Sequence, residues 1–385
     1  MTEIRIEGRC DARFEPVRNA FAANFAKHDE LGAAVAVTVD GREVVNLWGG
    51  YADEARRRPW QHDTLVNAFS VGKGITALCL LVLVDRGLVD LDLPVSYYWP
   101  EFSEGDKDFI TVRQVLSHQA GLPAVREALA ADAMFDWDFM TGALARTRPW
   151  WKPGTRHGYH INTFGFLVGE IVRRVSGASI GTFLREELAG PLAADFHIGV
   201  APEDDARVAE FVWLPELAEV PRIDPARLTE DELMVFQSYF NPAGASGHGT
   251  VNRVEWRRAE YPSTNGHGTA LGVARLYDIV AAGGTLKGRN LIGHDVVAEA
   301  CREHSSGIDA VLGRPSRFGL GFQLTLPEKP VIPSPSAVLH FGAGGALGFA
   351  DPDAGIGFGY VMNRMGPRYN NPTNRNLIRA VYASL

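Results

Sequence analysis

The sequence predicts an α+β fold, in which an antiparallel sheet built from both chain ends is flanked by helices and a mostly helical domain is inserted between. Alternating apolar residues mark a hairpin near the start, and strand patterns return after residue 338. Between them the pattern is helical. We therefore expect residues 1–74 and 242–385 to form an α/β sandwich domain with a central antiparallel sheet, and residues 75–241 to form a mostly helical domain.

The first elements are predicted from periodicity. Val17, Phe21 and Phe25 recur at every fourth position and indicate an amphipathic helix. Residues 33–39 then place valines at alternate positions, and Asp40 and Gly41 favour a two-residue turn with positive φ before a strand at 42–48. These residues predict an antiparallel hairpin.

Four helices are predicted in the central part of the chain, at residues 72–86, 112–117, 126–146 and 163–175. The last has a continuous apolar face, and Gly177 is a C-terminal stop signal. Residues 202–232 are acidic and contain Pro215, Pro221 and Pro225, so we expect an irregular surface segment there.

Strand character returns at residues 338–350 and 356–362, which flank a turn at 351–355. A last helix follows. Its apolar face consists of Leu377, Ile378, Val381 and Leu385, and Pro372 lies near its start.

Composition excludes several classes of protein. The 385 residues are 46% hydrophobic and 22% charged, which excludes a disordered or collagen-like chain. The net charge is −8 and no long basic run occurs, so we expect neither nucleic acid nor an anionic membrane surface as a partner. A small molecule is the expected partner, and the oligomeric state stays open.

The cysteines suggest neither a disulfide framework nor a zinc site. Cys10, Cys79 and Cys301 are far apart, odd in number and lack a CxxC pairing, and the histidines form no HExxH motif. We expect no metal and no cofactor. The acidic N-terminal region differs from a secretory signal, and the longest apolar run, residues 75–84, is about half of what crosses a bilayer. A cytoplasmic location is therefore expected.

Ser70 and Lys73 are the central chemical feature, because they stand three residues apart where the chain enters an apolar helix. Residues three apart share a helix face, so the amine can reach the hydroxyl. A lysine in an apolar setting has a lowered pKa and can act as a base for the weakly nucleophilic serine. On spacing alone, a serine N-cap and a solvated lysine are an equally good interpretation, but the apolar helix favours catalysis.

Tyr159 and the glycine-rich residues 340–349 are two further candidates. Tyr159 lies in a polar loop before a helix, where neighbouring cations would lower the pKa of its phenol; a half-buried structural tyrosine is the alternative. The glycines weaken a strand, and close approach of a ligand to the backbone, as in an oxyanion hole, is one reason to retain them. A bulged edge strand is the alternative.

Taken together, these segments resemble the three motifs of the serine β-lactamase and penicillin-binding protein superfamily. The chain is most similar to its esterase branch, the β-lactamase-like carboxylesterases called family VIII. The likeness covers nearly the whole length: the three motifs are Ser70 to Lys73, Tyr159, and His340 to Gly342, and the connecting segments are residues 91–95, 98–102, 116–123 and 265–269.

The resemblance implies a role for each of the first two motifs. Ser70 would be the acylated nucleophile, and Lys73 would take or relay its proton. Tyr159 would be the general base and later the acid to the leaving group. The reaction would be hydrolysis of a carboxylic ester through an acyl-enzyme.

The third motif, at His340, Phe341 and Gly342, would bind substrate, and the resemblance places the oxyanion hole at the backbone amides of Ser70 and Ala343. Removal of one hydrogen-bond donor from an oxyanion hole typically lowers the reaction rate by about 10² to 10³. A one-residue slip of the motif, to residues 341–343, would move the second amide to Gly344.

Two departures from the β-lactamase pattern bear on the substrate. Ile161 stands where an asparagine usually follows the tyrosine, so an amide contact is missing. His340 replaces the lysine that attracts a drug's carboxylate, and histidine is mostly neutral at pH 7. Both changes favour an uncharged ester over a carboxylate-bearing lactam. The expected substrates are esters of short or medium acyl chain.

Several alternatives stay open, namely acyl transfer to an alcohol, slow β-lactam hydrolysis, a penicillin-binding protein, and a non-catalytic ligand-binding relative. Two other motifs fail. Asn67 stands where a phosphate-binding loop needs its first glycine, and His248 stands where a nucleophile elbow needs its last. We expect the pocket walls to come from residues 134–151 and 202–241.

Overall fold

The computed structural model describes residues 4–217 and 223–385 and contains both helices and strands. The strands in these ranges are β1 Ile6–Cys10, β2 Gly32–Val39, β3 Arg42–Gly50, β4 Val66–Asn67, β5 Phe196–His197, β6 His267–Gly268, β7 Thr285–Leu286, β8 Arg289–Asn290, β9 Ser305–Ile308, β10 Pro315–Phe318, β11 Gln323–Leu324, β12 Val338–Phe341, β13 Leu347–Asp351 and β14 Ile356–Met362. The helices are α1 Glu15–Lys27, α2 Val71–Asp85, α3 Val95–Tyr98, α4 Val112–Leu116, α5 Trp137–Arg146, α6 Phe164–Ser176, α7 Ile180–Leu184, α8 Gly190–Leu192, α9 Glu230–Phe240, α10 Val254–Arg258, α11 Ala270–Ala281, α12 His294–Cys301 and α13 Pro372–Tyr382.

A nine-stranded antiparallel sheet unites the two ends of the chain, in the order β1-β3-β2-β14-β13-β12-β11-β10-β9. The N-terminal β2 pairs with the C-terminal β14, with Val35 opposite Tyr360. The predicted hairpin joins β2 to β3 through Asp40 and Gly41, whose φ angles are 49° and 74°. The predicted α+β class, with a sheet made from both chain ends, is confirmed.

Helix α11 packs closely on one face of this sheet because β14 has glycines there. A Cβ atom at Gly359 would lie 2.1 Å from the carbonyl oxygen of Ala270, and one at Gly357 would lie 2.6 Å from that of Ala274. A larger residue at either position would therefore push the helix away. The helices from the two chain ends, α1 and α13, contact each other.

Helix α2 is buried from Val71 to Leu83 and contacts α6, β12 and α12. Ser70 lies directly before its first turn. Phe69, the residue before Ser70, has a φ of 50°, a left-handed conformation that is strained for a bulky side chain. Strain of this kind is typical of functional sites, which makes the start of α2 a candidate.

Two predicted elements are wrong. Residues 338–350 were expected as one strand but form β12 and β13, which pair with each other, because Gly344 and Gly345 take φ angles of 80° and 125° and reverse the chain. The helix expected over residues 126–146 begins only at Trp137. There the Asp136 side chain accepts a hydrogen bond from the amide of Phe139 and caps the helix.

The other central helices lie where expected, and Gly177 ends α6 with a φ of 77°. Residues 202–217 and 223–229 are irregular apart from short 3₁₀ turns, as predicted, while Pro221 lies outside the described residues. The predicted division into two domains stays a prediction. Among the described residues, none of the helices has both the length and the apolar character that crossing a membrane requires.

Candidate active site

Ser70, Lys73 and Tyr159 come together at the start of α2. Lys73 Nζ lies 3.1 Å from Ser70 Oγ and donates a hydrogen bond to the carbonyl of Ser263 at 2.9 Å. The same nitrogen is 4.9 Å from the ring centre of Tyr159. The Ser70 hydroxyl lies close enough to the phenol of Tyr159 to lower its pKa. The structure thus groups the three side chains, and it adds Ser263, which no sequence motif indicated.

The amine of Lys73 is buried, with a side-chain exposure of 0%. Burial lowers its pKa well below the ordinary value for lysine, because an ammonium ion loses its hydration there. No charged neighbour among the described residues counteracts this effect. Burial therefore favours the uncharged amine, the form that can accept the proton of Ser70.

The surroundings of Tyr159 differ from the sequence hypothesis, which required nearby cations. Burial lowers the pKa of His160 and of His340 to about 3, so both rings are neutral at pH 7. Burial also raises the pKa of Tyr159, and the charge of Arg314 opposes this only weakly. The phenol is therefore protonated in the resting site, and Lys73 is the better proton acceptor.

The glycine-rich reversal after β12 reaches the same pocket as Ser70. Gly342 and Ala343 both line it. The Gly342 amide donates to the carbonyl of Ala346 at 2.7 Å, whereas the amides of Ser70 and Ala343 have no acceptor in the described part of the chain. Two unpaired amides at one pocket are what an oxyanion hole needs. Gly344, the alternative position, is buried away from the pocket lining.

The structure places His340 behind the pocket, where its side chain is only 1% exposed. Its Nε2 lies 2.9 Å from the carbonyl oxygen of Gly321, so this nitrogen carries the proton and donates it. The ring packs 6.3 Å from that of Tyr159. The covered ring does not line the pocket, which corrects the expectation that the His340 side chain contacts substrate directly. Phe341 and Gly342 do line the pocket.

A pocket of about 410 Å³ opens at Ser70. Ile161 forms part of its wall, so an apolar side chain occupies the place of the amide in the β-lactamase pattern. The described residues that line the pocket are Phe69, Ser70, Tyr159, Ile161, Trp213, Leu217, Tyr239, Ser246, His248, Thr264, Leu312, Arg314, Phe318, Gln323, Phe341, Gly342, Ala343, Met365 and Tyr369.

The prediction of which chain segments form the pocket walls is half right. Residues 202–241 contribute Trp213, Leu217 and Tyr239, but none of residues 134–151 lines the pocket. Residues 312–323 and 365–369 line it instead. No local pattern marks these segments, since the sheet brings them to Ser70 from far along the chain.

Asp309 connects the Tyr159 loop to the turn between β9 and β10. Its Oδ1 accepts hydrogen bonds from the amides of Tyr159 at 3.0 Å, Val311 at 2.9 Å and Leu312 at 2.9 Å. Its Oδ2 accepts one from Ser316 Oγ at 2.9 Å. One carboxylate thus fixes the tyrosine and the turn that carries Arg314. Sequence reasoning missed it because an isolated aspartate in a turn carries no signal.

Comparison with known proteins identifies the family. The model of the family described as Beta-lactamase matches residues 17–382. The chain belongs to the β-lactamase family. It is 37% identical over 367 residues to the esterase/beta-lactamase LipL of Mycobacterium tuberculosis (strain ATCC 25618 / H37Rv), a match that covers 94% of this chain and 83% of LipL.

Two solved structures are similar to this β-lactamase family member over nearly its whole length. One is a family VIII carboxylesterase, at 39% identity and a TM-score of 0.91, covering 99% of this chain and 100% of that one. The other is a penicillin-binding protein homologue from Caulobacter crescentus, at 40% identity and a TM-score of 0.89, with the same coverage. The family predicted from the three motifs is confirmed.

Proposed function

We propose that this protein is a serine carboxylesterase that cleaves esters of short to medium acyl chain through an acyl-enzyme on Ser70. The observation that carries the proposal is the contact between Ser70 Oγ and the buried amine of Lys73, whose pKa is lowered by burial. The names of the relatives agree with it, since LipL is called an esterase and one structural neighbour a carboxylesterase.

In the acylation step, Ser70 Oγ attacks the ester carbonyl carbon while Lys73 Nζ takes its proton. The carbonyl oxygen gains negative charge and is held by the amides of Ser70 and Ala343. As the bond to the alcohol oxygen breaks, Tyr159 gives that oxygen its phenolic proton. Lys73 then returns a proton to Tyr159, which leaves both groups as they began.

Deacylation repeats these steps with water in place of serine. Lys73 takes a proton from the attacking water, and the bond between the acyl carbon and Ser70 Oγ breaks. Tyr159 protonates the departing Oγ, the carboxylic acid leaves, and Lys73 restores the proton of Tyr159. Transfer of the acyl group to an alcohol uses the same steps with a different acceptor.

Slow hydrolysis of β-lactams is the second candidate activity. The names of LipL, an esterase/beta-lactamase, and of the Caulobacter penicillin-binding protein homologue favour it. The place of the usual motif lysine is taken by His340, which is buried and neutral, so no charge at this position attracts a β-lactam carboxylate. We therefore expect esters to be the better substrates.

Labelling with a fluorophosphonate followed by intact mass and peptide mapping tests the nucleophile. We expect a single adduct on Ser70 and a loss of about 10⁴-fold or more in ester hydrolysis in Ser70→Ala. Ser246 is the matched comparison, because it lines the same pocket but bonds to the Tyr239 carbonyl at 2.7 Å rather than to an amine. Ser246→Ala should still be labelled, and an adduct on Ser246 in the unmodified protein overturns the proposal.

A further inference from the structure

Arg314 is the one charged side chain among the described residues that line the pocket. It is half-buried, and its guanidinium carbon lies 4.7 Å from the ring centre of Tyr369. His248 also lines the pocket, but burial lowers its pKa, so it is neutral at pH 7. The described lining of this mostly apolar pocket therefore carries a single positive charge.

No carboxylate neutralises this charge in residues 4–217 and 223–385. Arg317, on the following strand, shows the contrast: its Nε lies 2.5 Å from Glu303 Oε2, and it donates to the carbonyl of Thr325 at 2.6 Å. The Arg314 guanidinium has neither kind of acceptor among the described residues. Five N–H donors beside an apolar wall cost free energy unless water or a ligand accepts their hydrogen bonds.

The turn that carries Arg314 is held in a fixed position relative to the reaction centre. The Asp309 amide donates to the Arg314 carbonyl at 3.0 Å, and the Asp309 carboxylate accepts from the Tyr159 amide at 3.0 Å. A binding group tied in this way to the catalytic loop keeps its distance from the scissile bond, which makes it suited to orient a substrate.

We propose that Arg314 recognises an anionic group of the substrate, and that the preferred substrates are esters with a carboxylate remote from the scissile bond. This rests on the proposed ester hydrolysis at Ser70. A guanidinium stacked on an aromatic ring keeps its edge donors available, and these match a carboxylate with two parallel hydrogen bonds. Arg314 thus places a positive charge in the turn between β9 and β10 and not at the position of His340, where the β-lactamase pattern has its lysine. The carboxylate belongs either to the acyl part or to the alcohol part.

Two pairs of matched esters test the assignment. The first pair is the para-nitrophenyl monoester of adipic acid and para-nitrophenyl heptanoate, which differ in charge on the acyl side. The second pair is the butyrate esters of para-hydroxybenzoate and para-hydroxybenzamide, which differ on the alcohol side. We expect the ratio of kcat/KM, anionic over neutral, to fall about tenfold in Arg314→Gln for one of the pairs and to recover in part in Arg314→Lys. The pair that responds identifies the side that carries the carboxylate.

The matched control is Arg289→Gln, which removes the same charge from the exposed β7–β8 hairpin and should leave both ratios unchanged. Higher ionic strength should lower the wild-type ratio of the responding pair. If the wild type hydrolyses the neutral esters and neither ratio changes in Arg314→Gln, the role of Arg314 is overturned while the Ser70 proposal stands. If the wild type hydrolyses none of the four esters, both proposals fail.

Discussion

The catalytic cluster and the pocket wall are built in different ways. Ser70 and Lys73 are one helical turn apart; Ser70 is half-buried, Lys73 is buried, and burial lowers the pKa of the amine. The wall is assembled from segments near residues 213, 239, 314, 341 and 365, and it carries the charge of Arg314. In the proposed mechanism, a local motif therefore provides the chemistry, whereas distant loops select the substrate. Changes in the cluster should slow esters of every acyl-chain length alike, and changes in the wall should alter which acyl chain is preferred.

After Ser70→Ala, the largest effect is expected for Lys73→Met. Because the amine is the proton acceptor for Ser70, kcat/KM should fall by about 10³- to 10⁴-fold, equally for short and long acyl chains. In the wild type, activity should decline as the pH falls through the lowered pKa of Lys73, since the amine then gains a proton. Steady-state kinetics over a series of para-nitrophenyl esters and over pH measure both.

Lys107 provides the control for a buried lysine outside the cluster. Burial also lowers the pKa of Lys107, to about 8, but it binds the Glu104 carbonyl and lies outside the pocket lining. Lys107→Met should keep kcat/KM within about twofold of the wild type, as ordinary structural substitutions away from a site do. A loss in Lys73→Met confined to long chains would contradict the assignment of Lys73 to the cluster.

The same Lys73→Met variant has a stability signature. Between the lowered folded pKa and about 10.4, unfolded Lys73 binds a proton that the folded state does not, so the unfolding free energy of the wild type rises with pH by about 1.4 kcal/mol per unit from this group. Methionine lacks this contribution. The unfolding free energy of the variant relative to the wild type should therefore decrease from pH 7 to pH 9 in denaturant titrations, and a constant difference would mean that Lys73 is charged in the folded protein.

Tyr159→Phe should have the next largest effect, a loss of about 10²- to 10³-fold in kcat/KM. The loss should be larger for alkyl esters than for para-nitrophenyl esters, because an alkoxide needs a proton to leave and nitrophenolate does not. Tyr239→Phe, in the same pocket, should lose less than about tenfold. Equal losses for both classes of ester in Tyr159→Phe would contradict the proposal that Tyr159 protonates the leaving group.

The smallest effect is expected in the wall, for Trp213→Ala. Trp213 lines the pocket and stacks on His248 with ring centres 4.3 Å apart, so its removal enlarges the pocket. The kcat/KM for para-nitrophenyl decanoate relative to butyrate should rise about three- to tenfold, in line with the modest worth of hydrophobic contacts in selection.

Tyr97→Ala, at a side chain that is 69% exposed and outside the pocket lining, is the control and should leave this preference unchanged. If Trp213→Ala instead slowed all esters by the same factor, the result would contradict the assignment of Trp213 to the part of the pocket that selects the substrate.

Several parts of the fold followed from short-range patterns. Asp40 and Gly41 predicted the hairpin turn and Gly177 the end of α6, because positive φ is a local property of these residues. The reversal at residues 342–346 was missed since a glycine-rich segment fits either a bulged strand or a turn until its neighbours are known. The helix predicted over residues 126–146 was placed too early for a similar reason. The pattern of apolar residues did not show that Asp136 caps the helix and that the helix begins only at Trp137.

By itself, the amino-acid sequence determined the family, the fold class, and the pairing of Ser70 with Lys73. The family follows from the resemblance of three motifs spread along the chain, the fold class from periodicity, and the pairing from two residues within one helical turn. Only the tertiary structure decided the charge states and the shape of the pocket. The pKa of a buried amine or phenol depends on how many atoms exclude water from it, and those atoms come from distant segments. For the same reason, no sequence motif indicates Arg314, which only the fold of the sheet places beside the pocket.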